Sequence, residues 1–193
     1  YGGIVLNHPV GGLNAAAVEA SARMGGRIVW FPTIDKIPIA DEAGKLLPAV
    51  YDILDCIKEH HLILATGHLP PEQALQLLRA GAACGVERMI ATHVSLPLTA
   101  ADLTMQKKYL DCGAVLEHCY YTPYHQLCPI EAIAASIRQA GPERVLLSSD
   151  MGQPDGLTPP AALLDFSHQL YEEGISVQEL RTMLVQTPKE LLS

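Results

Sequence analysis

Histidine and aspartate side chains follow three apolar runs of the chain. His68 ends the run LILATGH, His93 ends RMIATH 25 residues later, and Asp150 follows RVLLSS. Imidazole and carboxylate groups that meet at one place suit a hard-to-borderline divalent ion, most simply zinc, with an open position for water. Such an ion lowers the pKa of its water towards neutrality, and Asp150 beside it could act as the base that accepts the water's proton. The sequence therefore predicts a metal site that contains His68, His93 and Asp150, with manganese or iron as alternative metals.

The segment between His68 and His93 has the pattern of a crossover helix. Apolar residues recur at helical spacing, with Pro70 and Pro71 at the start and Gly85 after the end. Continuous apolar runs are typical of buried parallel strands, and successive parallel strands need such a helix between them. Both imidazoles are therefore expected at the carboxyl-terminal edge of one sheet, where α/β proteins place their chemistry.

Six apolar runs predict six strands whose starts lie 25 to 35 residues apart, which is close to the length of one βα unit. The predicted strands are 2–8, 27–33, 62–68, 88–94, 114–119 and 144–150. Helical patterns fill the gaps, and capping boxes are expected at Thr99 with Asp102 and at Ser176 with Glu179. Regular alternation of this kind indicates an α/β fold with a mostly parallel sheet.

A closed barrel is favoured over an open doubly wound sheet. No strand is followed by a G-x-G-x-x-G loop, since HPVGGLN lacks that spacing. A complete (β/α)8 TIM-type barrel takes about 250 residues. The 193 residues here hold six βα units, so we expect one barrel domain over residues 1–193 that lacks two units of the eight.

Composition limits the classes of partner. A net charge of −8 argues against nucleic acid and against anionic membranes, and no apolar run is long enough for a membrane span. The five cysteines form no C-x-x-C pair, which favours a reducing, cytoplasmic location without a disulfide framework. We expect a small-molecule substrate, and a homodimer is compatible with general experience of soluble oligomers.

Further polar or aromatic residues near strand ends are candidates for substrate binding. Glu117 and His118 point to opposite faces of one strand, so only one of them can face the barrel centre, and the sequence leaves both open. Trp30 is a core residue or a pocket wall. The candidate substrate-binding residues are Asn7, His8, Trp30, Glu117 and His118.

Other reactive groups have simpler interpretations. His60, His61, His125 and His168 are expected to be structural or bystanders, and the cysteines to be small buried apolar residues, with Cys119 beside His118 the one to watch. The segment Ser148-Ser149-Asp150 lacks the G-x-S-x-G elbow, which excludes a serine hydrolase of that type.

With these residues in place, the chain resembles the amidohydrolase superfamily of metal-dependent hydrolases. The runs GGIVLNHPVGGLN, IVWFPTID, LATGHL, ATHV, LEHCY and LSSDMGQ resemble a little-characterised group of small amidohydrolase-like barrels. This resemblance implies that His68 and His93 each supply one metal ligand and that Asp150 both binds metal and shuttles the proton. It also implies that the six strands are the third to eighth of the barrel.

Two features of this sequence depart from the family pattern. The family's first-strand H-x-H motif has no counterpart, and we expect the natural polypeptide to carry about 60 further residues before Tyr1, the length of two βα units. The segment WFPTID offers no lysine that could bridge two metals, which favours a mononuclear site or a bridging ligand from elsewhere.

The leading functional hypothesis is a metal-dependent hydrolase that cleaves an amide, lactone or phosphoester of a small molecule. Alternatives are a metal-dependent decarboxylase or other lyase on the same barrel, or a degenerate barrel that binds a small molecule without catalysis. The substrate itself is not predicted, because specificity in barrels resides in the loops.

Overall fold

The computed structural model describes residues 1–154 and 156–193, in which strands alternate with helices. The strands are β1 Gly2–Val5, β2 Gly26–Trp30, β3 Ile63–Ala65, β4 Arg88–Ala91, β5 Val115–Cys119 and β6 Val145–Ser148. The helices are α1 Ala15–Arg23, α2 Pro48–Glu59, α3 Pro71–Cys84, α4 Leu103–Asp111, α5 Tyr121–Tyr124, α6 Ile130–Ala140, α7 Pro159–Glu172, α8 Val177–Arg181 and α9 Thr187–Leu192. Short 3-10 turns at His8–Val10 and Pro142–Arg144, and a π-helical turn at Thr182–Gln186, complete the secondary structure.

The first of two compact units comprises residues 1–92 and 111–114. Within it, β1 to β4 lie side by side in chain order, and every neighbouring pair is parallel. Helix α3 begins with proline in its first turn and ends at Gly85 in the left-handed conformation, as the sequence predicts. A Cβ atom at Gly81 would lie 2.8 Å from Leu64 and 2.9 Å from Met89, so glycine allows α3 to approach β3 and β4 closely.

The second unit comprises residues 93–110 and 115–193 and has an apolar core of its own. Strands β5 and β6 pair in parallel, and Cys119 lies opposite Ser148. Helices α6 and α7 bury side chains such as Ile133 and Phe166 in this core. The capping box predicted at Ser176 and Glu179 is present at the start of α8.

The parallel α/β arrangement and the six strands confirm the sequence prediction, but five of the six strands end earlier than expected, whereas β5 ends at Cys119 as predicted. Strand β3 ends three residues before His68, and β4 ends two residues before His93. The intervening residues form turns, because the chain must leave the sheet before it can enter the crossover helix. The prediction of one barrel domain over residues 1–193 stays a prediction. No helix among the described residues is both long and apolar enough to cross a lipid bilayer.

The predicted capping box at Thr99 is wrong. The carboxylate of Asp102 accepts a hydrogen bond from the Met105 amide in the first turn of α4, at 2.7 Å. The Thr99 hydroxyl instead donates to the His93 carbonyl, at 2.5 Å. A threonine that was expected to begin a helix therefore stabilises the turn that carries His93.

Gly67 supplies a test of the first unit. It has a φ of +60°, and an added Cβ atom would lie 2.0 Å from the Phe31 carbonyl oxygen. Gly67→Ala should therefore lower the free energy of unfolding, measured by urea denaturation, by at least about 3 kcal/mol through backbone strain and steric overlap.

The matched control for that measurement is Gly44→Ala. Gly44 also has a positive φ, of +77°, but a Cβ atom there would meet nothing within 4 Å. Gly44→Ala should therefore lower the free energy of unfolding only by the conformational strain, about 1 to 2 kcal/mol. Equal losses in the two variants would show that close packing at Gly67 is unimportant.

Candidate functional site

Left-handed turns follow three of the strands and carry the predicted metal ligands. Gly67 has a φ of +60°, His93 of +52° and Asp150 of +50°. A histidine or aspartate in this region costs more energy than glycine, and such strain often occurs at functional sites. Two of the three predicted ligands therefore occupy a backbone conformation that their side chains do not favour.

His68 lies in the first unit, in the turn after β3. Its amide donates to the Pro32 carbonyl at 2.9 Å, while the Gly67 amide donates to the Thr92 hydroxyl at 3.2 Å. The Thr92 amide in turn donates to the Thr66 hydroxyl at 2.9 Å. These bonds fix the backbone that carries His68. Its role as a metal ligand stays a prediction.

The turn at His93 lies at the start of the second unit and is held from two sides. Its carbonyl accepts hydrogen bonds from the Leu96 amide, at 2.9 Å, and from the Thr99 hydroxyl. The next residue, Val94, donates its amide to the Glu117 carbonyl at 3.1 Å. The imidazole is therefore carried on a backbone that β5 and the following loop both restrain.

Three side chains lie close to the two ring nitrogens of His93. On the Nδ1 side, the Cys119 sulfur lies 2.7 Å away and Glu117 Oε2 lies 3.6 Å away. On the other side, Nε2 lies 3.8 Å from Asp150 Oδ2. His93, Glu117 and Cys119 offer nitrogen, oxygen and sulfur atoms that all lie within 4.8 Å of one another, a spacing that could hold a metal ion.

Among the groups around His93, the Glu117 carboxylate has the most unusual environment. Its side chain is only 13% exposed, and Oε2 is a buried atom that makes no hydrogen bond within the described part of the chain. Burial raises the pKa of this carboxyl above its ordinary value, while His93 and the hydrogen bond from Ser148 act in the opposite direction. A buried carboxylate oxygen without a hydrogen bond is costly, and a bound cation would compensate that cost.

Cys119 and Ser148 link the remaining oxygen of Glu117 to His93. The Ser148 hydroxyl donates to Glu117 Oε1 at 3.0 Å and lies 2.9 Å from the Cys119 sulfur. Burial raises the pKa of the Cys119 thiol well above its ordinary value, and the neighbouring Glu117 charge adds to this effect. Without a metal ion, both effects favour the thiol over the thiolate. Sequence reasoning did not include Cys119 or Ser148 in the site.

A signal for Cys119 was present in the sequence. Glu117 and Cys119 are two residues apart on β5, so they project from the same face of the strand. Ser148 gave no comparable signal, because its position opposite Cys119 depends on the register between β5 and β6.

His118 projects from the opposite face of β5 and is fully buried. The Ser136 hydroxyl donates its single hydrogen to Gln106 Oε1, at 2.6 Å. Towards His118 Nε2, at 2.8 Å, the same hydroxyl can therefore only accept a hydrogen bond. Nδ1 of His118 then accepts from the Ser95 hydroxyl at 2.7 Å. Of the two β5 residues that the sequence left open, the geometry places Glu117 beside His93 and His118 against α6.

The other predicted substrate-binding residues lie in the first unit. The Asn7 side chain joins the ends of β1 and β2, because it donates to the Thr33 hydroxyl and accepts from the Thr33 amide. His8 is exposed in a 3-10 turn, and its amide donates to Asp35. Trp30 is half-buried on β2 and covers Gly3 of β1. The substrate-binding role of Asn7, His8, Trp30, Glu117 and His118 stays a prediction.

A charged recess of about 350 Å³ in the first unit lies away from the predicted residues. Lys58, His61, Glu87 and Arg88 are among its lining residues, and it lies where β3 and β4 begin. In barrel folds the ends where strands begin contribute to stability, and chemistry occurs where strands end. His61, predicted to be structural, lies here with Nδ1 3.7 Å from Glu87.

The burial of His118 makes stability depend on pH. Burial lowers the pKa of His118 to about 4 from an ordinary value of 6.5. Between these two values the unfolded chain binds a proton that the folded protein does not, so stability should fall by about 3 kcal/mol as the pH drops from 6.5 to 4. Urea unfolding at several pH values should show this loss in the wild type and a smaller loss in His118→Gln.

The control for the pH measurement is His168→Gln. His168 is exposed on α7, so this variant should retain the pH dependence of the wild type. If His118→Gln and the wild type lose stability in parallel across this range, His118 is not the group responsible.

Comparison with known families and structures identifies the fold. The model of a family described as "Family of unknown function (DUF6282)" matches residues 1–117. Comparison with functionally curated protein sequences gives no match.

Three solved structures illustrate the likeness of fold. An amidohydrolase from Pseudomonas aeruginosa has a TM-score of 0.73 at 12% identity over 93% of this chain. A phosphotriesterase homology protein from Escherichia coli, complexed with phosphate in its active site, has a TM-score of 0.62 at 22% identity over 84% of this chain. A 2,6-dihydroxybenzoate decarboxylase, complexed with 2,6-dihydroxybenzoate, has a TM-score of 0.54 at 10% identity over 98% of this chain.

The chain spans 67%, 59% and 69% of the lengths of these three proteins, respectively. At such identities the likeness establishes the fold and no shared activity. The likeness of fold confirms the predicted (β/α)8-barrel class, with six βα units in this chain. It also confirms the resemblance to amidohydrolases at the level of fold. The numbering of the strands as third to eighth stays a prediction. The chain belongs to the family of unknown function DUF6282 and has the fold of amidohydrolase-type (β/α) barrels.

Proposed function

We propose that the protein is a metal-dependent hydrolase whose metal site includes His93 and Asp150. The observation that carries this proposal is the group of His93, Glu117 and Asp150, in which a buried Glu117 oxygen lacks a hydrogen bond within the described part of the chain. This donor set fits a divalent cation, because imidazole and carboxylate are ordinary ligands of zinc, manganese and iron. Zinc is the metal we propose first.

The ligands within the second unit differ in exposure. The His93 side chain is 13% exposed, whereas the Asp150 side chain is 44% exposed. His93 is thus a shielded ligand, and Asp150 can contact both the ion and a solvent-borne reactant. We keep His68 as the third proposed ligand, on the resemblance of its T-G-H motif to the amidohydrolase pattern.

The chain's own residues have distinct tasks in the proposed reaction. A bound divalent ion would polarise the scissile group and lower the pKa of a water molecule. Asp150 Oδ2 would accept the proton of the attacking water and deliver it to the leaving group. Glu117, whose Oε2 atom is buried beside His93, would provide negative charge that balances the cation.

The proposed substrate is a small molecule with an amide, lactone or phosphoester bond. The solved neighbours support this range, because their names include an amidohydrolase and a phosphotriesterase homology protein. The decarboxylase neighbour, matched over 98% of this chain, favours decarboxylation as the second candidate. A cytoplasmic location remains a proposal from the cysteine pattern, and a homodimer remains a proposal from general experience of soluble oligomers.

Metal content tests the site. Protein purified without chelator should contain about one zinc, manganese or iron ion per chain by elemental analysis. His93→Ala should weaken zinc binding by more than about 100-fold because it removes a ligand, and His68→Ala tests the ligand proposed from the resemblance. The control His168→Ala, on exposed α7, should bind metal as the wild type does. Wild-type protein that stays metal-free after addition of zinc or manganese would support a non-catalytic barrel instead.

Asp150→Asn tests the proton transfer. Asparagine tolerates the left-handed conformation at this position but cannot act as a base. Turnover of chromogenic p-nitrophenyl esters, aryl lactones and phosphotriesters should fall at least about 100-fold while metal is largely retained. If the protein releases carbon dioxide from aromatic carboxylates and cleaves none of these esters, it is a decarboxylase and the proposed hydrolase function is wrong.

A further inference from the structure

Three side chains, of Cys119, Ser148 and Glu117, connect in series to the Nδ1 side of His93. Nδ1 lies 2.7 Å from Cys119 Sγ, Sγ lies 2.9 Å from Ser148 Oγ, and Oγ donates to Glu117 Oε1 at 3.0 Å. We propose that Cys119, Ser148 and Glu117 are positioning residues that hold the neutral His93 ring of the metal-free protein as its Nδ1–H tautomer and so select Nε2 as the metal-binding nitrogen. The selection of Nε2 rests on the proposed function, whereas the tautomer can be measured in metal-free protein.

The direction of the series follows from counting hydrogens. A serine hydroxyl has one hydrogen, and that of Ser148 is donated to Glu117 Oε1. Ser148 Oγ can therefore only accept from its other neighbour, so the single hydrogen of the Cys119 thiol points to Ser148. The sulfur is then an acceptor towards His93, and Nδ1 must carry the hydrogen that it receives.

This tautomer determines which nitrogen can bind a cation. A neutral imidazole has one N–H group and one nitrogen with a lone pair, and only the latter ligates a metal. With the hydrogen on Nδ1, the lone pair is on Nε2, which is the nitrogen closer to Asp150, at 3.8 Å. Metal-binding histidines commonly donate their other N–H to a neighbouring group in this way.

The distances argue against Cys119 as a ligand beside His93 Nδ1. Nitrogen and sulfur ligands at tetrahedral angles on one zinc ion lie roughly 3.5 Å apart, given bonds of about 2.0 and 2.3 Å. Nδ1 and Sγ lie only 2.7 Å apart, closer than two ligands of one ion would lie, and are in direct hydrogen-bond contact. Glu117 Oε2, 3.6 Å from Nδ1, adds negative charge on the side where the hydrogen lies.

The strands hold these groups in register. Cys119 and Ser148 are opposite each other in the parallel pair β5 and β6, and Glu117 projects from the same face of β5 as Cys119. Cys119 is 1% exposed, so water does not compete for its hydrogen bonds. Positioning groups carried on paired strands keep a ligand orientation more closely than groups on loops do.

Nitrogen-15 NMR of the metal-free protein tests the tautomer. Ring 15N resonances of His93, assigned by their loss in His93→Gln, should show a hydrogen on Nδ1 in the wild type. Cys119→Ala removes the acceptor and should give a mixture of the two tautomers. Cys84→Ala, on α3 of the other unit, should leave the His93 signals unchanged. A hydrogen on Nε2 in the wild type, or an unchanged spectrum in Cys119→Ala, would overturn the proposal.

Zinc affinity, measured by competition with a chromogenic chelator, separates positioning from ligation. Cys119→Ala should lower the affinity by about 10- to 100-fold. Cys119→Ser should restore it to within about threefold of the wild type, because a hydroxyl also donates once and accepts. If serine is as damaging as alanine, and the cobalt-loaded wild type shows a sulfur-to-cobalt absorption band, Cys119 is itself a ligand and the positioning role is wrong.

The two proposals fail in different ways. A protein that binds neither zinc, manganese nor cobalt contradicts the proposed function and the selection of Nε2, although the NMR spectrum still reports the tautomer. A protein that binds zinc with equal affinity in the wild type and Cys119→Ala keeps the proposed function and contradicts the positioning role.

Discussion

The left-handed turn at His93 is the constraint on which the candidate site depends. A φ of +52° is unfavourable for a histidine, and the turn persists because its carbonyl is held by Thr99 and its neighbour Val94 is bonded to β5. This geometry brings the imidazole among Glu117, Cys119 and Asp150. A substitution that relaxes the turn would move the imidazole away from all three side chains. Loop residues that take no part in chemistry therefore determine the position of His93.

A second constraint is the burial of charge. Glu117 places a carboxylate where water has little access, and only one of its two oxygens has a hydrogen bond within the described chain. Such a group raises the free energy of the folded protein unless a positive charge or a proton compensates it. A protein that needed only stability would gain from an apolar residue here. The carboxylate is therefore best understood through its effect on His93, and through its role in the proposed metal site.

The other face of β5 shows how similar residues acquire different roles. His118 is one residue away from Glu117, but it is fully buried and held by Ser95 and Ser136, with a pKa lowered to about 4 by burial. It is neutral at physiological pH and connects the sheet with the helix layer. Adjacent residues on one strand thus serve packing on one side and the candidate site on the other, because side chains alternate along a strand.

Much of the fold could be predicted because its signals are local. Apolar runs of strand length, helical spacing between them and glycine after α3 depend on neighbouring residues, and all six strands were found in this way. Local signals were less reliable where a side chain had two possible partners. Thr99 has the pattern of a helix cap, yet its hydroxyl bonds to the more distant His93 carbonyl. The lengths of the strands were overestimated for a related reason, since a polar residue after an apolar run looks the same in a strand and in a turn.

By itself, the sequence determined that His93 and Asp150 follow strands, and that Glu117 and His118 face opposite sides of one strand. Only the tertiary structure decided which side turns towards His93. Alternation fixes the relative orientation of Glu117 and His118, whereas the packing of β5 against β6 and α6 fixes which of them faces His93. The register that places Cys119 opposite Ser148, and the backbone turns that carry His93 and Asp150, also result from contacts distant in sequence. Which residues are candidates can thus be read from short segments of the sequence. Whether these residues lie together depends on long-range packing that no single segment specifies.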